Sequence, residues 1–173
     1  MNDPAARALP SSYEKIGDAT VFVDRIHGML DKIELFEGFD RAEIRQFARF
    51  MAAYRVPMGA EIIREGDPGD YLLLLIEGDV DVFKNDREGM RKRIAVVGPG
   101  KTLGEMSMID GAPRFSTCVA ATQATFGMLT REDLTRIIAD QPMLGAKILM
   151  QLVVMLSQRL RQTSDKLVNY LDQ

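Results

Sequence analysis

The chain has 173 residues, of which 46% are apolar, a size and composition typical of one folded domain with appendages. Its net charge of −3 argues against DNA as a partner, since nucleic-acid-binding surfaces are normally basic. The single cysteine excludes an internal disulfide, in keeping with a cytoplasmic location. Residues 1–7 lack the apolar core of a signal peptide, and no apolar run approaches the roughly 20 residues that span a bilayer. We therefore expect a soluble cytoplasmic protein without a membrane segment.

The N-terminal part is predicted to hold a tail and then helices. Residues 1–18 are short of large apolar groups and are predicted to form a flexible tail. Apolar side chains recur at three- and four-residue steps over residues 19–33, which predicts an amphipathic helix with His27 on its solvated face. Asp40 and Glu43 form an Asp-x-x-Glu helix start, so the helical region extends over residues 19–52.

The middle of the chain reads as strands separated by turns rich in glycine, proline, asparagine and aspartate. Several short strands at such regular spacing predict an antiparallel sandwich or barrel, so the fold class is mainly β with flanking helices. The predicted strands cover residues 61–64, 71–76, 80–83, 91–97, 118–121 and 125–129.

The C-terminal part, residues 130–173, is predicted to be helical. Thr130 caps a first helix, and Pro142 begins a long second one. An apolar row that we call the seam follows alternating four- and three-residue steps: Leu149, Val153, Leu156, Leu160, Thr163, Leu167 and Tyr170. A second row consists of Leu144, Ile148, Leu152 and Met155. Two rows indicate two packing partners, the β domain and a second copy through residues 149–170; the alternative is one helix against its own domain.

Residues 103–118 carry the chemistry of a binding site. Gly104 and Glu105 begin a short segment, and Arg114 follows nine residues after the carboxylate, just past a break at residues 110–113. A guanidinium grips phosphate oxygens bidentately, and N–H groups at a helix start attract anions. A carboxylate accepts a hydrogen bond from a ribose 2′-OH. These groups suit a ligand with both a phosphate and a ribose hydroxyl.

At these residues the sequence resembles the phosphate-binding cassette of the cyclic-nucleotide-binding domain family, over roughly residues 35–138. The resemblance implies an antiparallel double-stranded β-helix, a jelly-roll-like β-roll, over residues 53–129. It also implies that Gly104 offers a backbone N–H, that Glu105 takes the ribose 2′-OH and that Arg114 takes the cyclic phosphate. The implied ligand-binding residues are Val82, Val97, Gly104, Glu105, Met106, Ser107, Arg114, Phe115 and Ser116.

One residue departs from the family pattern. The position after the arginine usually holds alanine, serine or threonine, and here it holds Phe115. A hydroxyl there is associated with a preference for cyclic GMP in the family, so the resemblance favours cyclic AMP. The bulk of the ring could narrow the pocket or stack near the ligand.

Other chemistries find little support in the sequence. Residues 95–102 end like a Walker A loop, but Ala95 stands where the first glycine should be, and no long helix is predicted to follow. The single histidine excludes a histidine-based metal cluster, and Cys118 has no evident activating base. We therefore expect neither an enzyme nor a metal protein.

The predicted function is a cyclic-nucleotide sensor that signals by moving its C-terminal helix. No room remains after that helix for a DNA-binding, kinase or channel domain, so a dimer partner or a separate protein would receive the signal. The alternative is a protein-interaction or scaffold module that kept the fold without binding a ligand.

Overall fold

The computed structural model describes the backbone of residues 13–171 and the side chains of residues 13–168. The strands are β1 (Glu14–Asp18), β2 (Ala52–Val56), β3 (Glu61–Ile63), β4 (Tyr71–Glu77), β5 (Val80–Asn85), β6 (Arg91–Val97), β7 (Thr102–Leu103), β8 (Thr117–Ala120) and β9 (Ala124–Thr130). The α-helices are α1 (Val23–His27), α2 (Arg41–Ala48), α3 (Glu105–Asp110), α4 (Arg131–Asp140) and α5 (Pro142–Leu171). The predicted fold class, mainly β and antiparallel with flanking helices, is confirmed.

The strands form two antiparallel sheets. The first has the order β1-β2-β9-β4-β7, and the second has the order β3-β8-β5-β6. The hydrophobic core has two parts, which lie on the two faces of strand β4. The apolar run of this strand is buried on both faces. Leu73 and Leu75 belong to the core between the sheets, whereas Leu72, Leu74 and Ile76 belong to the core that the helices cover.

The predicted N-terminal tail is wrong in its last residues. Glu14–Asp18 form β1, which pairs with β2 at the edge of the first sheet. The hydroxyl of Tyr13 donates to the carbonyl of Glu61 at 2.6 Å, and Ile16 packs against the helical core. These contacts lie far away in sequence, so local composition did not reveal them. Residues 1–12 of the predicted tail lie outside the described residues.

The helix predicted over residues 19–33 is also wrong as one continuous element. Only α1 is α-helical, and 3₁₀ turns cover residues 19–22 and 30–32. Gly28 follows α1 directly, and glycine disfavours continuation of a helix. The apolar periodicity nevertheless predicted correctly which side chains are buried. Val23, Ile26 and Ile33 lie in the core, and His27 is exposed. The start of α2 has the predicted capping box between Asp40 and Glu43.

The long helix α5 covers the β domain with one face. Thr130 caps α4, and α5 begins at Pro142, both as predicted. The second row, Leu144, Ile148, Leu152 and Met155, is buried in the helical core. Most of the seam is exposed, namely Leu149, Val153, Leu160, Thr163 and Leu167. Leu156 is half-buried, and the side chain of Tyr170 lies outside the described residues.

In the described part of the chain, one helix is long and apolar enough to cross a bilayer, judged by length and composition alone. This helix is Pro142–Val168. Helices that pack on a protein core meet the same criterion, so the observation is weak evidence for a span. Here the second row packs into the domain, and Arg159 reaches an acidic partner there. These contacts account for the apolar residues on one face of the helix, whereas most of the seam is exposed.

Candidate functional site

A left-handed glycine begins the short helix of the predicted cassette. Gly104 has φ +79° and precedes α3, and Gly111, with φ +74°, follows the helix. A Cβ at Gly104 would lie 2.5 Å from Nη1 of Arg114 and 3.1 Å from the carbonyl oxygen of Tyr71. Both the backbone conformation and the crowding therefore require glycine at this position.

Arg114 is buried, with only 4% of its surface exposed. Its Nη1 donates to the carbonyls of Tyr71 at 2.9 Å and Gly104 at 2.8 Å. The guanidinium also lies 4.2 Å above the centre of the Tyr71 ring. Its Nη2 is buried and has no hydrogen-bond partner among the described residues. The side chain is thus fixed in place and keeps one donor group for an anion.

The turn at residues 66–69 holds Arg114 from its other side. The backbone N–H of Arg114 donates to the carbonyl of Asp67 at 2.8 Å, and its carbonyl accepts from the N–H of Gly66 at 2.9 Å. A Cβ on Gly69 would lie 1.9 Å from Nε of Arg114. The sequence predicted only a break between strands here, and the structure makes the turn part of the site.

Glu105, the first residue of α3, is 3% exposed and forms an ion pair with Arg159 of α5. Nη2 of Arg159 also donates to the carbonyl and the hydroxyl of Thr102, at 3.2 and 3.0 Å. The second carboxylate oxygen, Oε2 of Glu105, is buried without a hydrogen-bond partner among the described residues. One oxygen thus anchors α5, and the other remains able to accept a hydrogen bond.

The ion pair of Arg159 with Glu105 was not predicted from the sequence. The sequence did contain a signal that Arg159 faces the domain. Arg159 follows Met155 by four residues, so it continues the second row on the buried face of α5.

These groups line one cavity of about 480 Å³, within the usual range for small-molecule sites. All nine sequence-predicted ligand residues lie in its wall: Val82, Val97, Gly104, Glu105, Met106, Ser107, Arg114, Phe115 and Ser116. Residues that the sequence did not predict also line it, including Glu34, Ile63, Ile94, Thr102 and Cys118. Burial raises the pKa of the Cys118 thiol to about 11. A buried cation and a buried carboxylate beside an apolar wall suit a ligand with a phosphate, a hydroxyl and a flat base.

The ring of Phe115 does not fill the cavity. Phe115 is 55% exposed, and its carbonyl accepts a hydrogen bond from Nζ of Lys84 at 2.7 Å. The same ammonium lies 4.4 Å from the centre of the ring. The aromatic side chain therefore stands at the wall with an open space beside it.

The C-terminal end of α3 is tied to α4 by one side chain. Arg131 donates from Nε to the carbonyl of Met108 at 2.6 Å and from Nη2 to the carbonyl of Ser107 at 2.9 Å. Carbonyls at a helix C-terminus lack partners within the helix, and a cation there also suits the helix dipole. The cassette helix and the helix preceding α5 are thereby linked.

The Walker-like segment has the surroundings of a turn. Residues 98–101 lead into the two-residue strand β7, and Gly100 adopts φ +92°. A P-loop would open a long helix instead. Among the described residues, no group of three or more histidine, cysteine, aspartate or glutamate side chains could hold a metal ion.

The family model of the cyclic nucleotide-binding domain matches residues 54–141, half of the chain. The chain belongs to this family. It is 38% identical to a crystal structure of a cyclic nucleotide-binding domain from Methylobacillus flagellatus, with a TM-score of 0.83 over 92% of this chain and 89% of that chain.

Longer regulatory proteins are similar over part of their length. The chain is 29% identical to a CRP-like cAMP-activated global transcriptional regulator of Mycobacterium tuberculosis, over 82% of this chain and 61% of the relative. It is 34% identical to a cAMP-dependent protein kinase regulatory subunit of Aspergillus niger, over 63% of this chain and 26% of that protein. The chain thus spans about three fifths of the first relative and a quarter of the second.

Proposed function

We propose that this chain is a sensor that binds a cyclic nucleotide, cyclic AMP in preference to cyclic GMP, in the 480 Å³ cavity. One observation carries the proposal. Arg114 and Glu105 are both buried in the wall of this cavity, and each keeps one polar atom without a partner among the described residues. Buried polar groups are normally hydrogen-bonded, so an exception of this kind calls for an explanation. A ligand with one anionic and one hydroxyl group would satisfy both atoms.

Arg114 would bind the cyclic phosphate. Its Nη1 is already bound to two carbonyls, which fixes the plane of the guanidinium before a ligand arrives. Nη2 would then donate to a phosphate oxygen, a charge-assisted hydrogen bond of the stronger kind. Backbone N–H groups of Ser107 and of residues 115–116 would bind the same phosphate.

Glu105 would accept the hydrogen bond of the ribose 2′-OH. Its Oε1 is held by Arg159, and Oε2 is the free acceptor. Gly104 would add a backbone N–H, and Met106 would lie beside the sugar. Val82 and Val97, which also line the cavity, would contact the base.

The preference for cyclic AMP rests on Phe115. The residue following the cassette arginine has no hydroxyl here, and family members that favour cyclic GMP have one. The names of the similar regulator and kinase subunit both refer to cyclic AMP.

The output would run through α5. Arg159 connects this helix to the carboxylate that meets the ligand, so the ligand would favour one position of the helix. The exposed seam would pack against a second copy of the chain and form a cytoplasmic homodimer. The movement of α5 would then pass the signal to the dimer partner or to a separate protein. A row of leucine and valine on an exposed helix face is a typical helix–helix contact.

Isothermal titration calorimetry with cyclic AMP tests the proposal. The wild type should bind, and Arg114→Ala should lose about 2–5 kcal/mol, the usual cost of removing one partner of a buried charged hydrogen bond. Arg136→Ala is the matched control, because Arg136 is a surface arginine paired with Asp133. A loss below tenfold in Arg114→Ala would contradict the assigned role. An absence of heat with the wild type would support the ligand-free scaffold instead.

A further inference from the structure

Phe115 belongs to the wall of the cavity, and Lys84 contacts both its ring and its backbone carbonyl. Nζ of Lys84 lies 4.4 Å from the ring centre and donates both to the Phe115 carbonyl and, at 2.5 Å, to Oε1 of Glu65. Glu65 Oε2 accepts in turn from the backbone N–H of Asn85 at 3.0 Å. The ammonium thus covers one face of the ring and ties the segment to β5.

The rest of the ring is accessible. Phe115 is 55% exposed although Lys84 lies over one face of the ring, so ring surface away from the ammonium is open. The residue belongs to the cavity wall together with Val82 and Ala95. An anchored aromatic ring with one open face at the wall of a nucleotide-sized cavity is suited to stacking on a base.

We propose that Phe115 stacks on the base of the bound cyclic nucleotide and makes the site selective for purines over pyrimidines. The inference rests on the proposed function and adds a specificity-determining residue to it. A purine has two fused rings and offers more π surface than a pyrimidine, so it gains more from the same ring. Lys84 acts as a positioning residue, because it binds the carbonyl of Phe115 and lies over the ring.

Calorimetric titration with cyclic AMP and cyclic CMP, of the wild type and of four variants, tests this inference. Phe115→Ala removes the ring, Phe115→Leu keeps an apolar group without a π face, and Phe115→Trp keeps the π face. Phe83→Ala is the matched control, because Phe83 also carries a cation over its ring, Arg91 at 4.3 Å, but lies outside the lining residues.

We expect Phe115→Ala and Phe115→Leu to weaken cyclic AMP binding by about fivefold to a hundredfold, the effect of alanine at base-stacking aromatics. Cyclic CMP binding should weaken less, so that the ratio of the two dissociation constants falls. Phe115→Trp should bind cyclic AMP as the wild type does, and Phe83→Ala should leave both affinities within twofold. Because Phe115 is exposed, its three variants should melt close to the wild type.

Several results would overturn the inference while leaving the proposed function intact. They are cyclic AMP affinity within twofold of the wild type in Phe115→Ala, retained affinity in Phe115→Leu, or equal losses for both nucleotides. Failure of the wild type to bind either nucleotide would overturn the proposed function itself. The two failures are therefore distinguishable.

Discussion

Arg159 of α5 forms an ion pair with Glu105, 54 residues earlier in the chain, at the first turn of the cassette helix. The contact joins two elements with different tasks, since α3 forms the wall of the cavity and α5 carries the exposed seam. The carboxylate that we assign to the ligand is thus also the point where α5 is held. The contact of a ligand in the cavity and the position of α5 would therefore both depend on Glu105.

Arg159→Ala should loosen α5 from the cavity. The Arg159 side chain is 35% exposed, so solvent screens the pair, and we expect a loss of about 1–2 kcal/mol in the free energy of unfolding. Hydrogen exchange measured by mass spectrometry should become faster in the α5 segment that follows Met155. Arg161→Ala, an exposed arginine of the same helix, is the control and should leave exchange unchanged. Equal exchange in both variants would show that the pair does not hold the helix.

Glu105→Gln should discriminate between sugars. Hydrogen bonds to charged groups contribute about 1.5–3 kcal/mol, so cyclic AMP affinity should fall by roughly tenfold or more. Its 2′-deoxy analogue lacks the hydroxyl and should lose much less in the same variant. The ratio of the two affinities is the readout, because the effect of the altered Arg159 pair is common to both ligands. A ratio identical to that of the wild type would remove the ribose contact.

Gly69→Ala should displace Arg114 without unfolding the domain. The added Cβ would lie 1.9 Å from Nε, and the guanidinium is the end of a long side chain that can move away. We expect at least a tenfold loss of cyclic AMP affinity. Because the two hydrogen bonds of Nη1 are disturbed as well, we also expect a loss of about 1–3 kcal/mol in unfolding free energy. Gly28→Ala is the control, since its Cβ would approach no atom nearer than 3.4 Å. Wild-type affinity in Gly69→Ala would mean that the arginine position is not required.

Leu160→Glu should yield monomers if the seam is a dimer contact. Leu160 is 69% exposed within one chain, so the charge should leave the monomer fold intact while it disrupts an apolar contact between helices. Multi-angle light scattering measures the mass directly. Met143→Glu, at an exposed position near the start of α5 and outside the seam, should keep the wild-type mass. The dimer proposal fails if the wild type is itself monomeric.

Cys118 should react slowly and should make stability depend on alkaline pH. Burial raises the thiol pKa from 9.0 to about 11, and the thiolate is the reactive form, so alkylation at pH 8 should be much slower in the folded chain than in urea. The unfolded chain loses this proton at lower pH than the folded chain, so stability should fall as pH rises from 9 to 11. Urea unfolding of the wild type and of Cys118→Ala should be compared at pH 8 and 10.5. The comparison separates the contribution of Cys118 to the pH dependence of stability from that of Tyr13, whose pKa is raised to about 12. Parallel pH dependence in both proteins would contradict it.

The cassette was predictable because its pattern is local. Gly104, Glu105, Gly111 and Arg114 lie within one short segment, and all of them except Gly111 line the cavity. The capping box of α2 and the cap of α4 are local in the same sense.

Long-range contacts account for what the sequence did not predict. Glu14–Asp18 are a strand because β2 is available beside them, and Arg159 contacts Glu105 only because α5 folds back over the cavity. The crowding of Gly69 by Arg114 likewise joins two separate segments. Residue types and their spacing do not indicate which distant segments of the chain become neighbours in the fold.

Glu105 and Arg114 each keep a buried polar atom without a partner within residues 13–168, and this has a consequence for the protein in a cell. Buried polar groups without hydrogen bonds make the empty domain less stable, and a ligand that binds only the folded state lowers the unfolded fraction by mass action. Proteases degrade mainly unfolded chains, so the turnover of the protein would slow as its ligand accumulates. Abundance would then follow the signal along with conformation.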